Sequence, residues 1–285
     1  MCYNSVQMTI KPFNSNLEFT TNGELSLFFI GTGNAFEKDV FQTNLFIAKG
    51  KDHLLIDCGT LCSYVMEKWC NTDIKDIENV LFTHPHADHI GGAEEMALVG
   101  KYIARRKINL VITDKLKKLL WNESLRGGIQ YSEEGKMTLD DYFDQLPIKQ
   151  IRKKPFEMHE ANVGSINLKL FRTRHVTTHK NSLRDSMLSY GVIIDDRILF
   201  TADTQFNEPQ LKFLLEKYNI ETIFHDCDIS GYSRGVHASY EELCSFPAEI
   251  RKKMYLCHYT KVIENIDTVK AGFAGLAKPR QYYIF

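Results

Sequence analysis

The chain has 285 residues, long enough for one α/β sandwich with a sizeable core. Hydrophobic residues make up 44% and charged residues 25%, and the formal net charge is -1. That balance disfavours a protein whose main task is to grip long nucleic acid, since such a task calls for a basic excess. The short basic runs around Arg105, Lys117, Arg152 and Arg251 read as solvated faces.

Seven cysteines, an odd number with no CxxC pair, argue against a disulfide framework and for a reducing, cytoplasmic setting. No stretch approaches the ~20 apolar residues of a membrane span. The first residues, MCYNSVQMTIKPF, lack the basic-then-apolar order of a secretion signal.

Residues 1–24 are polar and weakly patterned, as in a tail or an edge hairpin, and residues 25–285 read as one domain. Short runs rich in β-branched and aromatic residues predict strands at 25–30, 44–48, 53–56, 80–82, 109–112, 166–172, 190–194, 197–200, 222–224 and 254–256. Helices are expected at 62–70, 93–99, 115–120, 209–218, 240–243 and 263–276. This alternation argues an α/β class. The stretch 120–150 breaks the rhythm with paired glycines and scattered aromatics, so it reads as an insertion or lid. Within it, Trp121, Tyr131, Tyr142 and Phe143 suit either a base-stacking surface or a hydrophobic cap.

Directly after the predicted strand NVLF comes Thr83-His84-Pro85-His86-Ala87-Asp88-His89, three imidazoles and a carboxylate within six residues. Imidazole and carboxylate are the usual ligands of a catalytic zinc. Other apolar runs also end in residues able to bind metal: Asp57, His175, Asp203, His225-Asp226 and His258. In open α/β architectures sites gather beyond the carboxyl ends of strands. His53, His159 and His179 lie outside these endings and read as hydrogen-bonding or surface residues, with His179 placed to reach a substrate from the loop after His175. Cys58 and Cys257 adjoin candidate ligands but read as small buried apolar residues. Gly31-Thr32-Gly33 reads as a tight turn, since Phe36 stands where a dinucleotide fingerprint needs its third glycine.

On these residues the sequence resembles the metallo-β-lactamase superfamily from about Leu25 to His258, with HxHxDH standing as His84, His86, Asp88 and His89. The resemblance implies an αββα sandwich and two divalent metal ions per chain, zinc first, with manganese or iron as alternatives. It implies one ion on His84, His86 and His175, a second on Asp88, His89 and His258, and Asp203 bridging them. Asp57 and His225 would stand behind the ligands and orient them.

FFIGTGNAF, Ser189-Tyr190-Gly191, His225-Asp226-Cys227 and Gly235-Val236-His237-Ala238-Ser239 resemble the tRNase Z-like phosphodiesterase branch. The chain departs from its tRNA-processing members in carrying Asp226 where they carry Glu, and in lacking a Gly- and Lys-rich arm across 113–174. LLWNESLRGG and GKMTLDDYF resemble instead the smaller cyclic-nucleotide members, the phage anti-Pycsar phosphodiesterases among them. The expectation is a homodimeric two-metal hydrolase of a small anionic phosphodiester that works by activating water, with Asp88, His237 and Asp226 catalytic. His237 would be the general acid and Asp226 would orient it. The alternatives are a tRNA 3′-end endonuclease, a lactonase or thioester hydrolase, and a non-catalytic nucleotide-binding protein.

Overall fold

The structure, a computed structural model, describes residues 8–178, 183–231 and 235–285. Among the described residues no helix is long and apolar enough to cross a membrane.

Two eight-stranded sheets face each other. The first runs, in spatial order, Thr9–Pro12, Gln281–Ile284, Leu25–Gly31, Asn44–Lys49, Asp52–Ile56, Asn79–Leu81, Ile108–Val111 and Phe143–Gln145. The second runs Ile148–Arg152, Met158–Val163, Ile166–Thr177, Ser186–Ile194, Ile198–Phe200, Thr222–Asp226, Met254–Cys257 and Gly275–Leu276. Both begin antiparallel and end parallel.

Strand alternation sorts side chains into layers. In Ser186–Ile194, Val192 and Ile194 join the large core between the sheets, while Ile193 joins a second cluster with Leu211 and Leu214 of the helix Glu208–Lys217. Phe29 meets Phe224 across the sheets at 5.0 Å between ring centroids. On the other side Val65 and Met66 of the helix Cys62–Cys70 and Met96 of the helix Ala93–Val99 extend the large core. Helices therefore cover the outer face of each sheet, and the architecture is the expected αββα sandwich. A strand covered on both faces reads as a continuous apolar run, as Leu25–Gly31, buried throughout, does.

Two expectations change, and the N-terminal stretch takes the form of an edge strand. The segment 120–150 joins the core rhythm: Phe143–Gln145 pairs in parallel with Ile108–Val111, and Leu125, Ile129, Leu139, Tyr142 and Phe143 are buried. The stretch 263–276 is a short 3-10 turn, Lys261–Asn265, followed by loop and the two-residue strand Gly275–Leu276. Gly272 and Gly275 adopt φ of +89° and +147°, which no helix accommodates. The tail contributes Thr9–Pro12, an edge strand on Gln281–Ile284, and neither strand follows from a clear apolar pattern.

The two sheets are tied where the HxHxDH segment starts. The Tyr190 backbone N–H in the second sheet donates to the carbonyl of Thr83, at 3.1 Å.

Candidate metal centre

Each residue of the expected ligand set sits at the end of a strand or in the loop that leaves it. The turn Ala87–Ile90 presents Asp88 and His89, with His84 and His86 just ahead of it. Asp57, Val176, Ala202 and His258 all have positive φ (64°, 44°, 48° and 58°), so the chain turns sharply at or beside four of the strand-end positions. Strained backbone of this kind persists where the surrounding structure over-determines it. A side chain at Gly59 would collide with the carbonyl of Asp88, so only glycine lets the loop after Asp57 lie on the HxHxDH turn.

Two clusters of donor atoms result. In the first, His84 Nε2 lies 3.1 Å from His86 Nδ1, which lies 3.2 Å from His175 Nε2. In the second, His89 Nε2 and His258 Nε2 lie 3.2 and 3.3 Å from Oδ2 of Asp88. Asp203 turns one oxygen to each. Its Oδ2 is 3.6 Å from both His84 Nε2 and His175 Nε2, and its Oδ1 is 3.3 Å from His89 Nε2 and 3.4 Å from His258 Nε2.

The far ring nitrogens of three imidazoles are hydrogen-bonded, and that of a fourth lies beside a carboxylate. The Asp57 carboxylate accepts from the backbone N–H and the hydroxyl of Thr83, at 2.8 and 2.7 Å, and from His89 Nδ1 at 2.7 Å. Thr83 Oγ1, its proton given to Asp57, accepts from His84 Nδ1 at 3.1 Å. His175 Nδ1 donates to the carbonyl of Val236, at 2.9 Å. His258 Nδ1 lies 3.3 Å from Oδ1 of Asp226. Four imidazoles are thereby left with Nε2 facing the clusters, the arrangement in which metal-binding histidines are usually fixed.

Charge follows the same layout. Burial pulls the His175 imidazole down to about 4, against the attraction of Asp203, and burial with His89 beside it pushes His84 well below its ordinary value. His258 is also buried, yet Asp203, Asp226 and Asp88 raise it to about 10. Burial opposes ionisation of Asp203, but His258, His89 and His84 hold its carboxyl well below the carboxylate range.

The donors fit divalent metal. Bonds of about 2.0–2.1 Å to imidazole nitrogen in a tetrahedral site set donors roughly 3.3 Å apart, the spacing seen here. His89 Nε2 and Asp203 Oδ1 are buried without a hydrogen-bond partner among the described residues, and both point into the second cluster. Imidazoles with carboxylates suit zinc, manganese and iron.

His237 and Asp226 adjoin the clusters. His237 Nδ1 lies 2.7 Å from Oδ2 of Asp226, which also accepts from the Thr204 backbone N–H at 2.9 Å. Burial lowers the His237 value, but Asp226 outweighs it and the net shift is upward. His225 does not join them, contrary to the expectation. On the strand Thr222–Asp226 it shares the parity of Ile223, so it faces the outer helix layer and a small cavity with Leu211 and Leu214. His53 and His159 also stay apart: His53 Nε2 accepts from the Glu78 backbone N–H, and His159 packs edge-on to Tyr190. His179 lies outside the described residues. Cys58 and Cys257 are buried and hold no place in either cluster.

A cleft of about 640 Å³ opens over the clusters, lined by His86, Asp88, Asp203, His237 and His258 with the loop 34–37. None of Trp121, Tyr131, Tyr142 and Phe143 lines it. Tyr142 and Phe143 lie in the core and Tyr131 faces solvent. Sequence reasoning passed over Thr83 and the Val236 carbonyl, the partners that set two of the imidazoles. A threonine immediately before the motif was the one available signal.

The family model described as "Anti-Pycsar protein Apyc1" matches residues 25–283. The chain belongs to the anti-Pycsar Apyc1 family. An anti-Pycsar protein of Paenibacillus xerothermodurans is 31% identical over 261 residues, covering 92% of this chain and 98% of its own. One from Bacillus phage BSP38 is 33% identical over 264 residues, covering 90% and 96%. Among solved structures, the metallo-β-lactamase-fold protein YhfI of Bacillus subtilis is similar, with a TM-score of 0.65 and 14% identity over 92% of this chain and all of that one. Unliganded yeast PDE1 is similar with a TM-score of 0.63 and 10% identity, again over 92% and 100%. The short form of human tRNase Z is similar with a TM-score of 0.55 and 14% identity, over 90% and 98%. The anti-Pycsar chain thus has the metallo-β-lactamase fold that its HxHxDH segment implied.

Proposed function

We propose that the protein is a two-metal phosphodiesterase that opens a cyclic nucleotide, the signal of the defence against which its family is named. The observation that carries this reading is Asp203, with one oxygen toward each of two donor clusters. His84, His86 and His175 would hold one ion, Asp88, His89 and His258 the other, and Asp203 both. We take zinc as the metal, with manganese or iron as alternatives. Two ions carry about +4 and the ligand carboxylates Asp88 and Asp203 remove about two, which favours an anionic substrate.

Bound there, such ions acidify water and offset charge on a phosphoryl group. The chain's own residues do the rest. Asp57, Thr83 and Val236 fix the ring orientations of His89, His84 and His175. Asp226 accepts the Nδ1 proton of His237 and leaves Nε2 to face the cleft. His237, whose hold on its proton that carboxylate strengthens, gives its Nε2 proton to the departing ribose oxygen as the P–O bond breaks, then regains one from solvent. Asp88 serves as a ligand that also orients His89 and His258.

A long-RNA substrate is less well supported. The segment 113–174 is taken up by helical turns over 114–129, a small two-stranded hairpin, the strand Phe143–Gln145 of the first sheet and the consecutive hairpins Ile148–Arg152, Met158–Val163 and Ile166–Thr177 of the second, and net charge is -1. We further propose a homodimer working in the cytoplasm; light scattering that gives the 32.9 kDa of a single chain at high concentration overturns the dimer. The function is tested by assaying purified metal-replete protein on cyclic mononucleotides, cyclic dinucleotides and precursor tRNA. Faster processing of the tRNA at physiological salt overturns the cyclic-nucleotide assignment.

A further inference from the structure

Phe36 is 86% exposed, and it lines the same cleft as His86, Asp88, Asp203, His237 and His258. A lone exposed apolar residue needs no explanation on most surfaces. Here the ring stands at the mouth of the metal cleft, on a loop fastened by hydrogen bonds.

The mount is built from backbone and two polar side chains. Asn34 Oδ1 accepts from the Phe36 backbone N–H at 3.0 Å, and the Asn34 carbonyl accepts from Glu37 N–H at 3.2 Å. Asn34 N–H in turn donates to the carbonyl of Tyr259, at 3.1 Å. The Glu37 carboxylate accepts the backbone N–H of Lys38 at 2.9 Å and of Lys261 at 2.8 Å. A Cβ at Gly33 would lie 2.6 Å from Cβ of Glu37 and 2.8 Å from the carbonyl oxygen of Phe41, so the turn closes this tightly only with glycine. Tyr259 directly follows His258 and Lys261 comes two residues later, so the loop that bears Phe36 is fastened to the segment that bears a cluster residue.

Two kinds of surface therefore share one cleft. Its floor carries the imidazoles and carboxylates, and part of its wall, at Ala35, Phe36 and Val236, is apolar. Its volume of about 640 Å³ suits a small organic ligand. A cyclic nucleotide has the same division, an anionic phosphodiester at one end and a flat base at the other. We propose that Phe36 is the platform on which the substrate's base stacks while the phosphodiester sits over Asp203. This rests on the cyclic-nucleotide reading above and adds the residue that recognises the base. Every base has a π face, so a ring on a fixed loop binds the base end with little loss of freedom.

The test compares a cyclic mononucleotide with the abasic ribose 3′,5′-cyclic phosphate, using metal-loaded wild type, Phe36→Ala and Phe36→Trp. Phe36→Ala should raise KM for the nucleotide about tenfold, the scale of one lost stacking partner, with kcat and metal content unchanged. The abasic substrate should not register the change, and Phe36→Trp should restore KM. Equal loss on both substrates, no loss on either, or dissociation of a wild-type dimer in Phe36→Ala overturns the proposal. If the wild type opens neither substrate, the functional reading fails and takes this inference with it. If the wild type opens both and Phe36→Ala leaves KM alone, only the role of Phe36 falls.

Discussion

Nδ1 of His237 lies 2.7 Å from Oδ2 of Asp226, so the carboxylate fixes which ring nitrogen can face a substrate. His237 lines the cleft, and we propose it as the proton donor to the leaving oxygen. His237→Ala should lower turnover by ~10²–10⁴-fold with metal content unchanged, measured by steady-state kinetics and plasma emission spectrometry. The deficit should shrink for a p-nitrophenyl ester, whose leaving group needs no proton. Loss of metal, or an equal deficit on both substrates, rules out the acid role.

Asp57 is buried beside His89 and Thr83 and touches neither cluster's open side. Asp57→Asn keeps the size and tolerates the φ of 64°, but it weakens the acceptor for His89 Nδ1. Replacing such a partner typically weakens metal binding about 10–100-fold. Metal titration of the purified variant should show one site weakened and the other retained; unchanged affinity at both would refute the orienting role.

Stripping metal with a chelator should abolish activity and lower the melting temperature, with zinc restoring both. An ion that binds only the folded chain stabilises it by about 2.7 kcal/mol at a hundredfold excess over Kd. A thermal melt indifferent to chelator and to added zinc counts against resident metal.

His53 gives a pH signature away from the centre. Burial pulls its value below the ordinary 6.5, and its Nε2 accepts a backbone N–H from Glu78 at 3.0 Å. The folded chain thus binds this proton less well than the unfolded chain. The stability it contributes is present above 6.5 and is lost as pH falls from 6.5 through the lowered folded value. The gap in urea midpoint between wild type and His53→Gln should narrow between pH 7 and 5. A gap independent of pH would show that His53 does not titrate on unfolding.

Much of the centre was legible because its residues recur at one grammatical position, the end of an apolar run. His175 and Asp226 lie at the end of a strand and Asp57, His84, Asp203 and His258 just beyond one, and strand ends on one side of a sandwich meet in space. What the string of letters hid was parity. His225 and Asp226 are adjacent, yet one faces the helices and the other His237 and His258, since neighbours on a strand point to opposite faces. The strand Ile148–Arg152 was missed because three of its five residues are polar or charged, and Gln281–Ile284 because it is short and its partners, Thr9–Pro12 and Leu25–Gly31, lie far away in sequence. The helix expected at 263–276 rested on scattered apolar residues, and two left-handed glycines overrule it. Phe36 drew notice only as a missing glycine, because exposure at a cleft has no periodicity to betray it.

Both donor clusters mix the two halves of the molecule. His84 and His86 leave the first sheet and His175 the second; Asp88 and His89 come from the first side and His258 from the other. An ion in either place is therefore also a rivet through the sandwich, closing a long loop of chain much as a cross-link would. Pulled from its ends in a force experiment, the metal-loaded protein should hold its sheets together to a higher load than the chelated one, and should part in a single step when the rivets fail.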